Sequence, residues 1–279
     1  MLRAPINKII PFSNVDGPSN RTSIFFQSCN FNCQFCHNPE TINYCKACGE
    51  CVKNCPVKAL SLVDGKVVWN KDECVACDTC IKVCKFNASP KISYMSVDEV
   101  LAEIEETRPY IKGITTSGGE CTIHKDFLIP LFEKVREMGL TIFVDSNGTI
   151  DFEKEKEFTD SFDMVMLDVK AYDNEYHKIL CGTDNKMVLK NMDYLLKIGK
   201  LYEVRTVLVP GKVVENEETI REVSKIIGDK CIYKLIKYRP FGVREEFVDE
   251  LCDDQLTDEE ANYYLEVALN NGASKARIV

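Results

Sequence analysis

The chain has 279 residues, 45% of them hydrophobic, which is enough for one large α/β domain or two small ones around a substantial core. Its formal net charge is −9, with acidic and basic residues mixed along the chain. This argues against nucleic acid as a partner, because phosphate binding needs concentrated Lys and Arg. No apolar run approaches the roughly 20 residues that span a bilayer, and the first residues lack a signal-peptide layout. We therefore expect a cytoplasmic protein that is not membrane-bound.

Short apolar and amphipathic segments predict the elements in chain order. A buried strand at 24–27 leads into the first cysteines, and residues 43–88 change composition and indicate an insertion held by metal. Ser96 with Glu99, and Thr257 with Glu260, form capping-box patterns that each open a helix. Between these, strands are predicted at 112–117, 140–145, 163–169, 202–209 and 232–237, with helices at about 125–138 and 152–159, helical segments to about 198, and a helix between the last two strands.

This alternation of strands and helices predicts a parallel sheet with right-handed crossovers. About six βα units can be counted, whereas a closed eight-unit barrel takes about 250 residues, more than remain outside the insertion. We therefore predict an α/β fold: a partial, laterally open (β/α)6 barrel over 1–279, interrupted by an inserted bacterial-ferredoxin-like subdomain at 43–88. Ligands of such folds bind at the carboxyl ends of the strands.

Cysteine is the most informative residue type. The chain has 15 cysteines, and 11 of them fall in three runs between Cys29 and Cys84. Disulfide frameworks belong to short secreted chains, whereas clustered cysteines in a cytosolic chain of this size indicate metal. So many clustered thiolates also favour an anaerobic setting.

The first run is Cys29-x3-Cys33-x2-Cys36. Three thiolates on a short loop can hold three corners of a 4Fe–4S cube and leave one iron open to a small molecule, just as an open position separates catalytic from structural zinc. The alternative is a Cys3His zinc site that uses His37. It is disfavoured because His37 directly follows Cys36, with no spacer between the two ligands.

This run, with an aromatic residue before its last cysteine, resembles the radical S-adenosylmethionine superfamily. Further motifs between about residues 12 and 242 occur in the order found in the glycyl-radical-enzyme activases of that superfamily. The motifs that carry this resemblance are Asp16-Gly17-Pro18, Cys36-His37-Asn38, Ser117-Gly118-Gly119-Glu120, Asp145-Ser146-Asn147-Gly148 and Met166-Leu167-Asp168-Val169-Lys170.

The resemblance implies that Cys29, Cys33 and Cys36 are the catalytic cysteines. Their cluster would bind S-adenosylmethionine and cleave it reductively to a 5′-deoxyadenosyl radical, which takes a hydrogen atom from a glycine of a partner glycyl radical enzyme. A low-potential electron donor such as flavodoxin or ferredoxin is then required. We expect a monomer that docks transiently on its partner.

The second and third runs, Cys45–Cys55 and Cys74–Cys84, both have the spacing Cys-x2-Cys-x2-Cys-x3-Cys. In bacterial two-cluster ferredoxins the fourth cysteine of each such run ligates the other cluster. Zinc ribbons are the alternative, and two added clusters would either relay electrons or hold the insertion together. The spacing assigns Cys45, Cys48, Cys51 and Cys84 to one 4Fe–4S cluster and Cys55, Cys74, Cys77 and Cys80 to the other, which makes three clusters in all.

The resemblance assigns further residues to the cofactor. Gly118, Gly119 and Glu120 would hold the amino group of its methionine moiety, with Cys121 where relatives usually have proline; an ordinary turn is the alternative. A monovalent cation beside the cofactor carboxylate would be bound by oxygen ligands, which suit hard cations; acids facing water are the alternative. The ligands implied for this cation are Asp145, Ser146, the Met166 carbonyl and Asp168.

Basic and aromatic residues complete the predicted site. Asp168 and Lys170, two apart on a strand, share a face and can both serve a charged cofactor. Arg205 lies in an apolar strand and needs a partner, for which we prefer a ligand to a structural acid. Arg239, in the segment 237–242, stands near the place where some activases carry a histidine, and is assigned to the cofactor.

Three further interpretations concern Phe35, Asn38 and Asp16. Phe35 is placed against the adenine, with core packing as the equal alternative, and Asn38 near the ribose. Asp16 is assigned to the entrance used by the glycine loop, or else is a plain turn residue. The remaining histidines, His124 and His177, are expected to be surface or packing residues.

Two other functions remain open. A radical enzyme for a small molecule or another peptide would need a complete substrate pocket in this chain. A ferredoxin-like electron carrier would leave the first cysteine run without a role. The added cysteine runs directly follow Cys36 rather than the barrel, and this placement favours the activase.

Overall fold

The computed structural model describes residues 2–240, 244, 247, 251 and 256–279. Phe241 and Gly242 of the predicted segment 237–242, and the scattered Cys252, lie outside the described residues. The strands are β1 (Arg3–Ser13), β2 (Arg21–Phe26), β3 (Leu60–Val63), β4 (Lys66–Trp69), β5 (Ser93–Ser96), β6 (Gly113–Gly118), β7 (Thr141–Ser146), β8 (Met164–Asp168), β9 (Leu201–Leu208), β10 (Ile232–Lys237) and β11 (Ala276–Ile278). The α-helices are α1 (Glu50–Lys53), α2 (Thr79–Lys82), α3 (Val97–Thr107), α4 (Lys125–Glu137), α5 (Lys156–Ser161), α6 (Asn174–Cys181), α7 (Lys186–Lys197), α8 (Val213–Ile227) and α9 (Asp258–Asn270).

Nine strands form one sheet, in the order β11-β10-β9-β8-β7-β6-β2-β1-β5. In this order, every neighbouring pair between β11 and β2 is parallel. These strands include the six predicted from the sequence, and β11 adds a short seventh. Each crossover steps to the next strand in the same direction, and because such crossovers are right-handed the helices share one face of the sheet. The other face is left for polar side chains.

Two helix starts follow directly from the sequence. Ser96 Oγ accepts from the Glu99 N–H at 3.3 Å, and Glu99 Oε2 accepts from the Ser96 N–H at 2.6 Å. Thr257 and Glu260 make the same reciprocal pair at the start of α9, at 3.2 and 2.9 Å. Both predicted capping boxes are confirmed. The predicted helix at 152–159 is displaced, because Asp151 instead nucleates a turn and α5 begins only at Lys156.

Strands β1 and β5 were not expected from the sequence pattern. β1 pairs antiparallel with β2, and β5 pairs antiparallel with β1, so that Arg3 lies opposite Ser96. This pairing joins segments about 90 residues apart, and nothing local in either segment announces it.

The segment 43–88 leaves the sheet directly after the first cysteine loop. It contains the short helices α1 and α2 and the β3–β4 hairpin, packed on a small core of its own around Cys51, Leu60 and Cys80. The connection is held to the loop by the backbone: Ser28 N–H donates to Thr41 O at 2.8 Å, and Cys29 N–H donates to Ile42 O at 3.0 Å. The connection that leads into the insertion is thus hydrogen-bonded to the loop that carries Cys29. Among the described residues, no helix is long and apolar enough to cross a membrane.

Candidate active site

A cavity of about 270 Å³ opens where β6, β7, β8 and β9 end, beside the loop that follows β2. Its polar lining comes from the ends of these strands, from residues that follow them and from the cysteine loop. Every predicted catalytic or cofactor residue lines it except Arg239 and Met166, whose carbonyl is an implied cation ligand. Those that line it are Cys29, Cys33, Cys36, Phe35, Asn38, Gly118, Gly119, Glu120, Asp145, Ser146, Asp168, Lys170 and Arg205.

The three cysteines of the first run are gathered on one wall of this cavity. Burial raises the pKa of Cys29 and raises that of Cys36 to about 11. A hydrogen bond with the buried Cys181, together with burial, raises the pKa of Cys33. Three buried thiols need a positive partner to ionise, and a metal supplies one. The donor set therefore suits a group that binds thiolates.

His37 is not placed as a fourth ligand of a single ion. It is exposed, and its Nε2 donates to the carbonyl oxygen of Arg239 at 3.0 Å. Within the described part of the chain, no three His, Cys, Asp or Glu side chains converge closely enough to hold one metal ion.

Gly118 and Gly119 form the turn after β6. Gly118 has φ +121°, and a Cβ there would lie 2.2 Å from the backbone nitrogen of Phe26. A Cβ on Gly119 would lie 2.2 Å from the carbonyl oxygen of Ser28. Only glycine lets the turn approach the start of the cysteine loop this closely.

Glu120 continues that turn into the protein interior. It is 1% exposed and accepts from Thr122 Oγ1 at 2.6 Å, Ser146 Oγ at 3.0 Å and the Asn147 N–H at 2.6 Å. Burial raises the pKa of its carboxyl group to about 7. Glu120 thus ties the glycine turn to the end of β7 while lining the cavity. Cys121 leaves this turn intact, since its buried thiol donates to Thr116 O at 3.4 Å and it opens a 3-10 turn.

Charged residues complete the lining, and Lys170 lies beside the cysteine loop. Lys170 Nζ lies 2.7 Å from Asp168 Oδ2 and 5.6 Å from the centre of the Phe35 ring, as their shared face predicted. Asp145 is buried, which raises the pKa of its carboxyl group against the opposing effect of Arg205. Its Oδ2 accepts from Ser117 Oγ at 2.9 Å, but its buried Oδ1 has no hydrogen-bond partner. That oxygen is available to a cation or a donor in the cavity.

Arg205 has structural acids as partners and also lines the cavity, so its contact with the cofactor stays a prediction. Its Nε lies 2.6 Å from Glu203 Oε1 and its Nη1 lies 3.0 Å from Asp145 Oδ2. Structural acids therefore neutralise the guanidinium without any ligand. Although burial opposes it, these two acids raise the pKa of Arg205. Glu203 is fully buried on the same strand, two residues away, and this i, i+2 spacing was the missed signal.

Arg239 is not among the described residues that line the cavity. Its carbonyl oxygen accepts a hydrogen bond from His37, which does line the cavity. Asp16 has the contacts of a turn residue: it accepts from Ser13 Oγ at 2.6 Å and from Ser23 Oγ at 2.9 Å. Sequence reasoning missed Asn147, whose Nδ2 lies 3.8 Å from Cys29 Sγ. Its position in the strand-end motif was the available signal.

His124 and His177 are packing residues, as expected. His124 stacks on Phe26 with ring centres 5.4 Å apart, and its Nε2 donates to Gln27 O. His177 is fully buried and meets Phe31 edge-on at 5.4 Å. Neither lines the cavity.

The inserted segment gathers its cysteines in two smaller cavities. Cys55, Cys74, Cys77 and Cys80 line one of them, and Cys45, Cys48, Cys51 and Cys84 line the other, with Cys80 at its edge. In each set, one cysteine comes from the other run, as the two-cluster ferredoxin spacing predicts.

The two halves of the insertion also repeat in backbone conformation. Left-handed residues recur 29 positions apart, as Ala47 and Ala76 show with φ 54° and 52°. Lys58 and Asn87 repeat the same spacing with φ 55° and 49°. A left-handed non-glycine residue costs about 1–2 kcal/mol, so it persists only where its surroundings require it. The two halves of the insertion therefore share a backbone conformation at these positions.

The chain is similar in sequence to known proteins. The family described as the radical SAM superfamily matches residues 23–223. A trans-4-hydroxy-L-proline dehydratase activating enzyme from Clostridioides difficile is 31% identical over 76% of this chain and 75% of its own length. A pyruvate formate-lyase-activating enzyme from Streptococcus mutans is 30% identical over 85% of this chain and 78% of its own length.

The chain belongs to the radical SAM superfamily, among its glycyl-radical-enzyme activating enzymes. This family implies a 4Fe–4S cluster and S-adenosylmethionine as cofactors. The crystal structure of QueE from Escherichia coli aligns with a TM-score of 0.52, covering 99% of this chain and 92% of that one at 16% identity. At that identity the likeness concerns the fold alone, an α/β fold with a parallel sheet.

Proposed function

We propose that this activating enzyme holds its 4Fe–4S cluster on Cys29, Cys33 and Cys36 and acts on a glycine of a partner glycyl radical enzyme. When bound, the cluster supplies one electron to S-adenosylmethionine, whose cleavage supplies the radical that removes the glycine hydrogen. The observation that carries the proposal is the single cavity, in which these cysteines face the predicted cofactor residues. Three thiolates leave one iron for the cofactor.

The chain's own residues orient the cofactor. The glycine turn brings backbone close to the cysteine loop, and Glu120 presents a carboxylate there for an ammonium group. Lys170 lies beside Phe35 and provides a charge for a carboxylate. The unpartnered Oδ1 of Asp145, with Ser146 and Asp168 in the same lining, supports a site for a monovalent cation. Arg205 positions Asp145 and lines the same cavity.

We also propose that the large sheet is a laterally open partial barrel with an inserted ferredoxin-like subdomain. One-directional crossovers and a polar inner face support the barrel. An open side suits a substrate that is a loop of another protein. The cavity lies near the lower end of the volumes of ligand pockets, so it suits one cofactor rather than a cofactor with a separate small substrate.

Two further 4Fe–4S clusters are proposed in the insertion, on the two exchanged sets of cysteines. The two cavities and the 29-residue repeat of left-handed backbone support them. Their position directly after the first cysteine loop, to which the connection is hydrogen-bonded, favours electron relay over a purely structural role.

The function is tested by incubating the reconstituted, reduced protein anaerobically with S-adenosylmethionine and a set of glycyl radical enzymes. We expect the electron paramagnetic resonance signal of a glycine-centred radical on one of them. The signal should be absent with Cys33→Ala and with the partner's glycine replaced by alanine. Conversion of a small molecule by the protein without any partner would contradict the proposal.

A further inference from the structure

The inserted segment differs in charge from the rest of the chain. Residues 43–88 contain seven lysines and five acidic residues, whereas the whole chain carries a net charge of −9. The lysines near the Cys45, Cys48, Cys51 and Cys84 set are Lys46, Lys53, Lys82 and Lys85, and all four are exposed. The other half instead carries Asp72 and Glu73 before Cys74. One end of the insertion is therefore a basic surface on an acidic protein.

This basic end is concave. A hollow of about 640 Å³ is lined by Lys82, Lys85, Cys48 and Cys84. Phe86 also lines it and is 42% exposed. Among the described residues, the one acid in its lining is Glu50, which is paired with Lys53 at 3.6 Å. Cationic side chains therefore share this lining with the exposed Phe86 ring and with two cysteines of one cluster set.

The same set of cysteines is also the more accessible one. Cys45 and Cys48 are both exposed, whereas Cys77 alone is exposed in the other set. An electron enters most readily where the cluster rim meets solvent and a partner can approach it. Exposure and charge thus select the same end of the insertion.

We propose that an acidic, one-electron carrier protein docks in this hollow and delivers its electron to the cluster on Cys45, Cys48, Cys51 and Cys84. This inference rests on the proposed function, which provides the clusters. One electron leaves the carrier and one electron enters the cluster, with no bond formed or broken. Opposite charges steer such encounters and make their rate sensitive to salt.

The test uses reduced flavodoxin as the carrier and the fully reconstituted protein. Its association is measured by anaerobic interferometry, and cluster reduction by stopped-flow bleaching, from about 20 to 500 mM salt. The double variant Lys82→Glu/Lys85→Glu should weaken association and slow reduction at low salt by about tenfold or more, and should lose most of the salt dependence. The matched control, Lys66→Glu/Lys71→Glu, changes net charge equally outside the hollow and should stay within about twofold of wild type.

A small uncharged reductant separates this inference from the proposed function. Photoreduced deazaflavin should bleach the clusters and drive S-adenosylmethionine cleavage equally in wild type and both variants. If wild type fails even with deazaflavin, the proposed function fails first. If deazaflavin succeeds but flavodoxin reduces wild type and the hollow variant equally fast, or the control is slowed as much, the docking site is wrong. A change confined to self-association, seen by sedimentation velocity, would assign the face to a second copy and also overturn it.

Discussion

Arg205 reaches across β8 to join β9 with β7, its Nη1 lying 3.0 Å from Asp145 Oδ2. Its Nε holds the fully buried Glu203 at 2.6 Å. One guanidinium thus bridges two acids beneath the cavity, where Asp145 Oδ1 accepts no hydrogen bond from the described residues and Glu203 Oε2 lies 2.9 Å from Lys234 Nζ. The site is shaped by this internal network before any cofactor binds.

Arg205→Met should therefore be strongly destabilising. It breaks the ion pair with Asp145, while Glu203 keeps Lys234 Nζ at 2.9 Å, and breaking a buried pair typically lowers the free energy of unfolding by about 3–5 kcal/mol. Urea denaturation of the ligand-free protein measures the change. The control is Arg221→Met, which breaks an exposed pair with Glu217 at 2.6 Å and should cost less than about 1 kcal/mol. Equal effects in the two variants would refute the network's role.

Glu120→Gln separates cofactor binding from structure. The amide keeps an acceptor for the Asn147 N–H but removes the carboxylate charge. We expect the dissociation constant for S-adenosylmethionine, measured by anaerobic calorimetry, to rise about tenfold or more, as for loss of a charged hydrogen bond. Stability should fall as well, because Oε1 accepts from the Thr122 N–H, Thr122 Oγ1 and Ser146 Oγ, and an amide N–H2 in its place would face those donors. The exposed Glu133→Gln serves as the control. Unchanged affinity with reduced stability would make Glu120 a structural tie only.

The fourth cysteine of each run belongs to the other cluster set, and this predicts which pairs of cysteine variants lose iron additively. Cys45 and Cys84 line the same cavity. The double variant Cys45→Ala/Cys84→Ala should therefore lose about four irons, as each single variant does. Cys74→Ala with Cys84→Ala should lose about eight, because the two belong to different cavities. Iron and sulfide analysis after anaerobic reconstitution measures this. The reverse pattern would mean that each run holds its own cluster.

His177 should contribute to acid sensitivity. Its Nδ1 donates to Thr183 O at 2.8 Å, and its buried Nε2 has no partner, so protonation would bury an N–H without an acceptor. Burial accordingly lowers the pKa of His177. A lowered folded-state pKa gives stability that is present above about pH 6.5 and lost as pH falls through the folded value, by at most about 1.4 kcal/mol per pH unit. Urea denaturation from pH 7 to 5 should show a smaller loss in His177→Asn than in wild type; parallel curves would rule this out.

Features with local causes could be predicted from the sequence. The capping boxes at Ser96 and Thr257 depend on residues three apart, and the strand-end motifs meet because parallel strands end at one edge. The gathering of Cys29, Glu120, Asp145 and Lys170 in one cavity follows from that geometry. The resemblance supplied the chemistry that geometry alone does not name.

The misses depend on distant contacts. β1 pairs with β2 and with β5, which are distant in sequence, and the residue pattern of a single strand does not reveal its neighbours. The ion pair of Arg205 with Glu203 was not predicted, because the burial of Glu203 is decided by tertiary packing. The assignment of Arg239 relied on its position in a motif, and the structure turns its carbonyl, not its side chain, toward His37.

The most direct test compares wild type with the triple variant Cys29→Ala/Cys33→Ala/Cys36→Ala after anaerobic reconstitution, using Cys231→Ala as a buried-cysteine control away from both sites. Iron and sulfide are counted, and 5′-deoxyadenosine is measured with a strong reductant. The account predicts about twelve irons and cofactor cleavage in wild type and control, and about eight irons with no cleavage in the triple variant. About eight irons in all three proteins, with no 5′-deoxyadenosine from any of them, would contradict it and leave an electron-transfer protein.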